Sequence, residues 1–227
     1  MIDGHCHILP NCDDGPKSIE ESYDVLKSAQ SCGVNKIIFT SHFKHSYGSV
    51  QQHKLAYEQL LPYAQKLGID VALGAEVHWK KISEMGFSNM KELTLGKSNL
   101  FLLEFSSANL PSAWETIVYK LQGEGLKIII VHPERYRAVH EDFGIIDKFI
   151  DADCMLMLSA TSLDKSVFGQ RTFKCAKKLI KKRLIDIIAS DAHCTQNYEI
   201  FNKAITYAAR FGYNTQDADE ILEKAFY

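Results

Sequence analysis

The sequence predicts an α/β protein in which parallel strands alternate with helices as a (β/α) barrel of seven units, one fewer than usual. Two observations support this fold class. Short apolar runs alternate with amphipathic segments along all 227 residues, and each run is almost continuously apolar, as is typical of strands buried on both faces. A doubly wound open sheet is the alternative. Because no repeat or Gly/Pro-rich linker interrupts the pattern, we expect residues 1–227 to form a single domain.

The strands are predicted from seven apolar runs. In chain order these are residues 1–4, 36–40, 71–73, 100–103, 128–131, 155–158 and 185–189. Strands that are separated by helices pair in parallel through right-handed crossovers. We therefore expect the carboxyl ends of all seven strands to meet on one face of the molecule.

The helices are predicted from their start and stop signals. Ser18 and Glu21 form a capping box at the start of the first helix, and Gly33 is suited to end it. Pro62 lacks a backbone N–H, so we expect it to kink or interrupt the second helix. That helix and the later ones are predicted over residues 49–67, 112–124, 141–150, 169–183, 197–211 and 216–226.

Composition and charge exclude several classes of protein. Hydrophobic residues make up 46% of the chain and charged residues 24%, which is the mix of a folded globular protein rather than a disordered one. The net charge of -2 leaves no basic excess for binding nucleic acid. No apolar run reaches the ~18 residues of a membrane helix, so no membrane insertion is expected. Because no secretion signal is recognisable, we expect a cytoplasmic protein with six reduced cysteines.

Metal-ligating residue types follow six of the seven predicted strands. They are His5 and His7, His42, Glu76, Glu104, His132, and Asp191 with His193, while Asp14 lies in the loop after the first strand. Each residue alone is a weak signal, but in a parallel barrel the carboxyl ends of the strands build one active-site face. Imidazole and carboxylate ligands suit Zn²⁺, Mn²⁺ or Fe²⁺. The pattern therefore predicts a centre that binds divalent metal ions.

A cysteine-based phosphatase mechanism is excluded. That mechanism needs an arginine six positions after the nucleophilic cysteine, so that one loop holds the phosphate. None of the six cysteines has an arginine at that position. Cys6 and Cys194 flank predicted ligands, and we interpret both as bystanders.

Several motifs of the chain resemble one known family. Residues 1–10 read Met-Ile-Asp-Gly-His-Cys-His-Ile-Leu-Pro, Asp-Asp-Gly-Pro follows at 13–16, and His-Pro-Glu-Arg-Tyr lies at 132–136. With the segments at 41–42, 74–76, 103–105, 159–163 and 190–193, they resemble the polymerase-and-histidinol-phosphatase (PHP) superfamily over nearly the whole chain. Within it the chain is most similar to the bacterial metal-dependent protein-tyrosine phosphatases of capsule and exopolysaccharide operons.

The resemblance implies a distorted seven-stranded (β/α) barrel that holds two or three divalent ions, with Mn²⁺ favoured over Fe²⁺ or Zn²⁺. Matched by position, the ligand sets are His5, His7, Glu76 and Asp191; then Glu76, Glu104 and His132; then Asp14, His42 and His193. Arg135 is implied to hold the substrate phosphate, and His42 and Asp191 are implied to take part in catalysis. Many family members carry a second arginine after the last metal histidine. Residues 194–198 contain none, which leaves Arg137 as a candidate substitute.

The implied activity is hydrolysis of phosphotyrosine on a capsule-type bacterial tyrosine kinase, by attack of a metal-activated hydroxide. A histidinol-phosphatase, or another small-molecule phosphomonoesterase, is the alternative on the same site. A metal-dependent nuclease and a non-catalytic, metal-stabilised scaffold are further alternatives. The net charge argues against the nuclease, and the intact ligand set argues against the scaffold.

Overall fold

Strands and helices alternate along the chain in the computed structural model, which describes residues 1–44 and 47–227. The strands in the described residues are β1 (Ile2–Cys6), β2 (Lys36–Phe39), β3 (His42–Phe43), β4 (Asp70–Leu73), β5 (Glu76–His78), β6 (Leu100–Glu104), β7 (Lys127–Val131), β8 (Met155–Ser159) and β9 (Ile187–Ala189). The α-helices there are α1 (Ile19–Ser31), α2 (Val50–Lys66), α3 (Trp79–Met85), α4 (Trp114–Gly123), α5 (Arg137–Glu141), α6 (Gly144–Asp151), α7 (Lys165–Lys181), α8 (Gln196–Ala209) and α9 (Thr215–Leu222). Short 3₁₀ turns cover Phe87–Leu93, Pro133–Arg135, Ala160–Leu163 and Glu223–Ala225.

The strands form a curled, parallel sheet. One sheet has the order β1-β2-β4 and the other β3-β5-β6-β7-β8-β9, and every pair of neighbouring strands is parallel, as predicted. A parallel bridge between Cys6 and Ala192 joins the end of β1 to the segment after β9. Next to it, the amide of Asp191 donates to the carbonyl oxygen of His5 over 2.9 Å. An open sheet would leave these two edges apart, so the arrangement fits a distorted barrel.

The predicted count of seven strands is not confirmed, because two of the predicted strands are each followed, after a short break, by a further short strand. β2 ends at Phe39 and β3 begins at His42, and β4 ends at Leu73 before β5 begins at Glu76. At the first break the backbone carbonyls of Thr40 and Ser41 both accept from the amide of Glu76, at 3.1 and 3.3 Å. Hydrogen bonding therefore continues across the gap without a regular ladder.

The strands are buried on both faces, as their apolar runs predicted. One apolar cluster lies between the strands and the surrounding helices, and a second lies inside the curl of the sheet. In the inner cluster, Leu222 of α9 approaches Gly4 so closely that a Cβ there would lie 2.8 Å from its Cδ1. Asp219 of the same helix accepts from the amide of Ile2 over 2.8 Å. Helix α9 therefore packs at the amino end of β1, and the carboxyl ends remain available for a site.

The predicted first helix is confirmed, and its cap has the expected partner. The amide of Glu21 donates to the Ser18 hydroxyl over 3.2 Å, and Gly33 has the left-handed φ of 81° that favours glycine. The interruption predicted at Pro62 is wrong, because α2 continues through it. Pro62 lies on the exposed side of α2, so water can reach the carbonyl that has lost its amide partner.

Two further differences concern helices. The helix predicted over 141–150 begins only at Gly144, as α6, and a separate short helix, α5, precedes it. Helix α7 begins at Lys165, ahead of the predicted start at 169, and contains a break at Gly169, whose φ and ψ are 80° and 176°. Helix α3 was not predicted, since its seven residues are too few for a clear apolar period. In the part of the chain that the structure describes, no helix combines the length and the apolar character needed to cross a membrane.

Candidate metal centre

Apart from His42 and Glu76, the predicted metal-ligating residues lie at the carboxyl ends of strands or in the loops that follow them. His5 and His7 come from the end of β1, Glu104 from β6, and His132 from just after β7. His42 and Glu76 begin β3 and β5, directly after the two breaks. Seven of the nine residues line a cleft of ≈ 620 Å³, and these are Asp14, His42, Glu76, Glu104, His132, Asp191 and His193. His5 and His7 are fully buried.

Three groups of these side chains could each hold an ion, because one donor atom from each residue lies within 4.8 Å of the others. The groups are His5, His7 and Glu76; His42, Glu76 and Glu104; and His7, Asp14, His42 and His193. Glu76 therefore belongs to two groups, which is the position of a carboxylate that bridges two ions.

Two predicted ligands lie beside these groups rather than within them. Asp191 Oδ1 is 3.5 Å from His5 Nε2 and 3.3 Å from His7 Nε2. His132 Nε2 is 2.8 Å from Glu76 Oε1 and 3.9 Å from Glu104 Oε1. The structure thus brings all nine predicted residues together, although their grouping differs from the one matched by position.

Several atoms of the cluster are buried without a hydrogen-bond partner in the described chain. They are His5 Nε2, His7 Nε2, Glu104 Oε2 and His132 Nδ1. Burying a polar atom without a hydrogen-bond partner costs about 1–3 kcal/mol of folding free energy. Four such atoms in one site therefore indicate that the site binds a ligand. Burial and the nearby charge of Glu76 also raise the pKa of Glu104 to about 7. Divalent cations would coordinate these atoms and offset the carboxylate charge, so the residues fit a metal cluster.

Two supporting residues orient the buried histidines. Nδ1 of His7 donates to Asp13 Oδ2 over 2.7 Å, and Nδ1 of His5 lies 2.7 Å from the Thr40 hydroxyl. A metal-ligating histidine commonly uses its second nitrogen in this way, which leaves Nε2 directed at the ion. The sequence placed Asp13 only in the loop beside Asp14, and nothing near Thr40 in the sequence indicated its role.

The Asp-Asp-Gly-Pro loop depends on a close backbone approach. A Cβ at Gly15 would lie 1.9 Å from the carbonyl oxygen of His7, so only glycine fits. The amide of Gly15 donates to Asp13 over 3.0 Å. The loop then places Asp14 Oδ1 3.5 Å from His42 Nε2 and 3.4 Å from His193 Nε2.

Replacing Asp13 by asparagine is expected to weaken metal binding by about 10–100-fold, because the hydrogen-bond acceptor behind His7 loses its charge. Titration of the metal-free protein with Mn²⁺ measures this change. Asp24→Asn is the matched control, since Asp24 is exposed and pairs with Lys27 on α1. Equal Mn²⁺ affinity in the Asp13 variant and in the control would show that Asp13 does not support a ligand.

Backbone strain coincides with the site. His132 and Asp191 are non-glycine residues with positive φ, 37° and 52°, a conformation that costs of order 1–3 kcal/mol. Neighbouring strands hold both residues: the amide of His132 donates to the Met157 carbonyl, and that of Asp191 to the His5 carbonyl. Such strain clusters at functional sites, where the surrounding structure imposes it.

Arg135 is fixed in the wall of the cleft by four polar partners. Its Nη2 donates to Asp191 Oδ2 and Ser159 Oγ, both over 2.5 Å, and to Thr161 Oγ1 over 2.9 Å. Its Nε donates to Ser162 Oγ over 3.1 Å. Burial opposes ionisation of Asp191, but Arg135 and the adjacent imidazoles outweigh it and hold the pKa of this carboxyl well below its usual range. The guanidinium is therefore a fixed positive charge beside the metal-ligating groups.

The side chain of Arg137, the candidate second phosphate-binding residue, points away from the cleft. Its side chain is 70% exposed, its Nε donates to Glu141 over 2.7 Å, and it does not line the cleft. Among the residues that the structure describes, Lys44 also brings a cationic side chain to the lining of the cleft. Sequence reasoning missed Lys44, because a single lysine after a predicted strand carries no distinctive pattern.

The cysteines take no part in the metal-ligating groups of the described chain. Cys6 is buried, and its thiol donates to the Ile38 carbonyl. Cys194 is exposed, with its thiol 3.3 Å from Asn197 Oδ1.

Replacing Cys194 by serine is therefore expected to change metal-supported turnover by less than about 2-fold. The thiol is exposed and belongs to no ligand group of the described residues, and a serine hydroxyl can keep its contact with Asn197. Steady-state rates on metal-loaded protein measure it. A folded Cys194→Ser protein that has lost its turnover would instead implicate the thiol in the chemistry.

The fold and the site together define a metal-dependent hydrolase built on a curled, parallel α/β sheet. Comparison with known proteins gives the family. The chain belongs to the capsular polysaccharide synthesis CpsB/CapC family, whose sequence model matches residues 1–224. The resemblance to capsule-operon phosphatases is thereby confirmed.

Individual relatives agree with this assignment. CapC of Staphylococcus aureus is 34% identical over 201 residues, which cover 87% of this chain and 78% of the relative. YwqE of Bacillus subtilis strain 168, named a tyrosine-protein phosphatase, is 28% identical over 232 residues, covering 100% of this chain and 85% of the relative.

A solved structure extends the likeness to three dimensions. It comes from work on YwqE of Bacillus subtilis and CpsB of Streptococcus pneumoniae, described as metal-dependent tyrosine phosphatases. The TM-score is 0.86 at 26% identity, and the match covers 99% of this chain and 95% of that one.

Proposed function

We propose that residues 1–227 form a single domain that acts as a metal-dependent tyrosine-protein phosphatase. The observation that carries the proposal is the set of three overlapping ligand groups beside a fixed arginine, at the carboxyl ends of the strands. The relatives named as tyrosine-protein phosphatases support it. The frame is a distorted seven-stranded (β/α) barrel, in which β2 with β3, and β4 with β5, each count as one interrupted strand.

The proposed cofactor is a cluster of two or three divalent ions. We propose as its ligands the nine predicted residues, seven of them in the three groups and Asp191 and His132 beside these groups, which supply imidazole nitrogens and carboxylate oxygens but no thiolate. Such a set suits Mn²⁺, with Fe²⁺ or Zn²⁺ as alternatives. The overlap of the three groups at Glu76, His7 and His42 supports adjacent ions rather than one isolated ion.

The chemistry follows from what the residues around the cleft can do. Bound divalent ions would lower the pKa of a water molecule and offset the charge of the phosphoryl oxygens. Arg135 can donate to a phosphoryl oxygen from Nη1, the guanidinium nitrogen that its four wall partners do not contact, where negative charge grows in the transition state. Asp191 holds the guanidinium in place through Nη2. The leaving group is a phenolate with a parent pKa of about 10, so it needs less help from an acid than an alkoxide does, and a bound metal ion or the adjacent His42 could assist its departure.

The proposed substrate is phosphotyrosine on a bacterial tyrosine kinase of the capsule type, in the cytoplasm. The family assignment to capsular polysaccharide synthesis supports this partner class. The cleft of ≈ 620 Å³ is large enough to admit a tyrosyl side chain together with its phosphate.

The test is a direct comparison of two substrates on metal-loaded protein, a phosphotyrosyl peptide and histidinol phosphate. We expect kcat/KM to favour the phosphotyrosyl peptide strongly. Preferential turnover of histidinol phosphate would contradict the proposal and favour a small-molecule phosphomonoesterase. Bound metal without turnover of either substrate would favour a non-catalytic scaffold.

A further inference from the structure

The cleft has one exposed apolar wall. Val167 and Phe168 line it with 49% and 42% of their surfaces exposed. Most of the other lining residues are the charged and polar groups of the metal centre. The mechanism described above uses neither Val167 nor Phe168.

Phe168 lies directly beside the residue proposed to hold the phosphate. The Cζ atom of Arg135 is 3.8 Å from the centre of the Phe168 ring, so the guanidinium stacks on the face of the ring. The hydroxyls of Ser159, Thr161 and Ser162 hold the same guanidinium from the polar side. The guanidinium of Arg135 thus lies between these hydroxyl groups on one side and, on the other, an aromatic ring that also lines the cleft.

The backbone conformation of residues 164–169 determines where this ring lies. Residues 165–168 form a single turn that ends at Gly169, where φ is 80° and ψ is 176°. A Cβ at Gly169 would meet nothing within 4 Å, so it is the backbone conformation and not lack of space that favours glycine. Asp164 caps the turn by accepting from the amide of Ser166 over 2.9 Å. Residues 165–168 therefore form an ordered turn that is separate from the rest of α7, and this turn places Phe168 at the cleft.

We propose that Phe168 is a specificity-determining residue that packs against the aromatic ring of the substrate and so selects aryl over alkyl phosphomonoesters. The proposal rests on the proposed function, because it assumes that Arg135 binds the phosphate. In an aryl phosphate only one bridging oxygen separates the phosphorus from the ring. A phosphate at Arg135 therefore brings the substrate ring within reach of Phe168, and two aromatic rings attract each other at centroid distances of about 4.5–7 Å.

A different role for Phe168 would leave a different signature. If the ring only steadied Arg135, its removal would weaken every phosphate-bearing ligand to the same extent. If it contacts the substrate ring, its removal weakens only ligands that carry an aryl group. Phenylphosphonate and inorganic phosphate separate the two cases, since they share the anionic group and differ in the ring.

The experiment measures the Kd of both ligands by titration calorimetry on Mn²⁺-loaded protein. For Phe168→Ala we expect the Kd of phenylphosphonate to rise roughly 10-fold and that of phosphate to change less than about 2-fold. Phe168→Tyr, which keeps the ring, should restore the parent value. Tyr119→Ala is the control, because Tyr119 is 58% exposed on α4 and does not line the cleft.

Equal weakening of both ligands, or no change in either, would overturn the proposal. The proposed function is tested separately by the turnover of phosphotyrosyl peptide by the parent protein. Phe168-dependent binding of phenylphosphonate without such turnover would leave the ring contact standing and would contradict the phosphatase function.

Discussion

Replacing Arg135 by alanine is expected to lower the turnover of phosphotyrosyl peptide by about 10²–10³-fold, the loss that follows removal of one strong donor to a transition-state oxyanion. The guanidinium lies among Asp191 and the hydroxyls of Ser159 and Thr161, so its position is set before substrate binds. Metal binding should persist, because Arg135 is not a member of any ligand group. Steady-state kinetics and elemental analysis on the same preparation measure the two properties.

The separation of the two roles is testable with matched variants. Arg135→Lys should recover only part of the lost rate, since an ammonium lacks the planar fork of the guanidinium. Arg137→Ala is the control, because Arg137 pairs with Glu141 away from the cleft and should retain parent turnover. Parent turnover in Arg135→Ala with its metal intact would show that another group holds the phosphate, and Lys44 would then be the next residue to test.

Replacing Glu76 by glutamine is expected to remove most of the bound metal and to reduce turnover more than Asp13→Asn does. Glu76 is fully buried and belongs to two of the three ligand groups, whereas Asp13 only supports a ligand from behind. Replacing a residue that supports a ligand lowers metal affinity or activity by about 10–100-fold. We therefore expect the loss of a ligand shared by two groups to lower both by more than that. The amide keeps the shape of the side chain and removes its charge.

Thermal unfolding provides a readout of this variant that does not depend on activity. A ligand that binds only the native state raises the unfolding temperature in proportion to its binding free energy. Mn²⁺ should therefore raise the unfolding temperature of the parent protein more than that of Glu76→Gln, which keeps intact only the ligand group of His7, Asp14, His42 and His193. Glu141→Gln, on the exposed pair with Arg137, is the control and should respond like the parent. An equal Mn²⁺-induced rise in Glu76→Gln would show that Glu76 is not a ligand.

The clustering of the candidate ligands could be predicted because parallel strands that are far apart in sequence end on the same face of the fold. His5, Glu104 and Asp191 are far apart in sequence, but each follows an apolar run, and parallel strands bring those ends together. The breaks after β2 and β4 could not be predicted in the same way. They depend on hydrogen bonds between segments distant in sequence, such as those from the Glu76 amide to Thr40 and Ser41.

The supporting residues were missed for a related physical reason. Ser159, Thr161 and Ser162 are ordinary loop hydroxyls in the sequence, and only the packing of the 3₁₀ turn after β8 brings them to Arg135. Phe168 lies just before the helix predicted from residue 169, and nothing in the sequence indicates that residues 165–168 form a turn separated from the rest of α7 at Gly169. Sequence patterns thus indicated which residues carry the chemistry, while tertiary contacts determine what holds them.

The most direct test of a metal-dependent phosphatase is the rate of phosphotyrosyl peptide hydrolysis by chelator-stripped protein as Mn²⁺ is added back in measured equivalents. The three overlapping ligand groups lead us to expect no turnover in the stripped protein. The rate should then rise with added Mn²⁺ and saturate at two or three ions per chain. Full turnover without added metal, or saturation at one ion per chain or fewer, would contradict a shared cluster at this site.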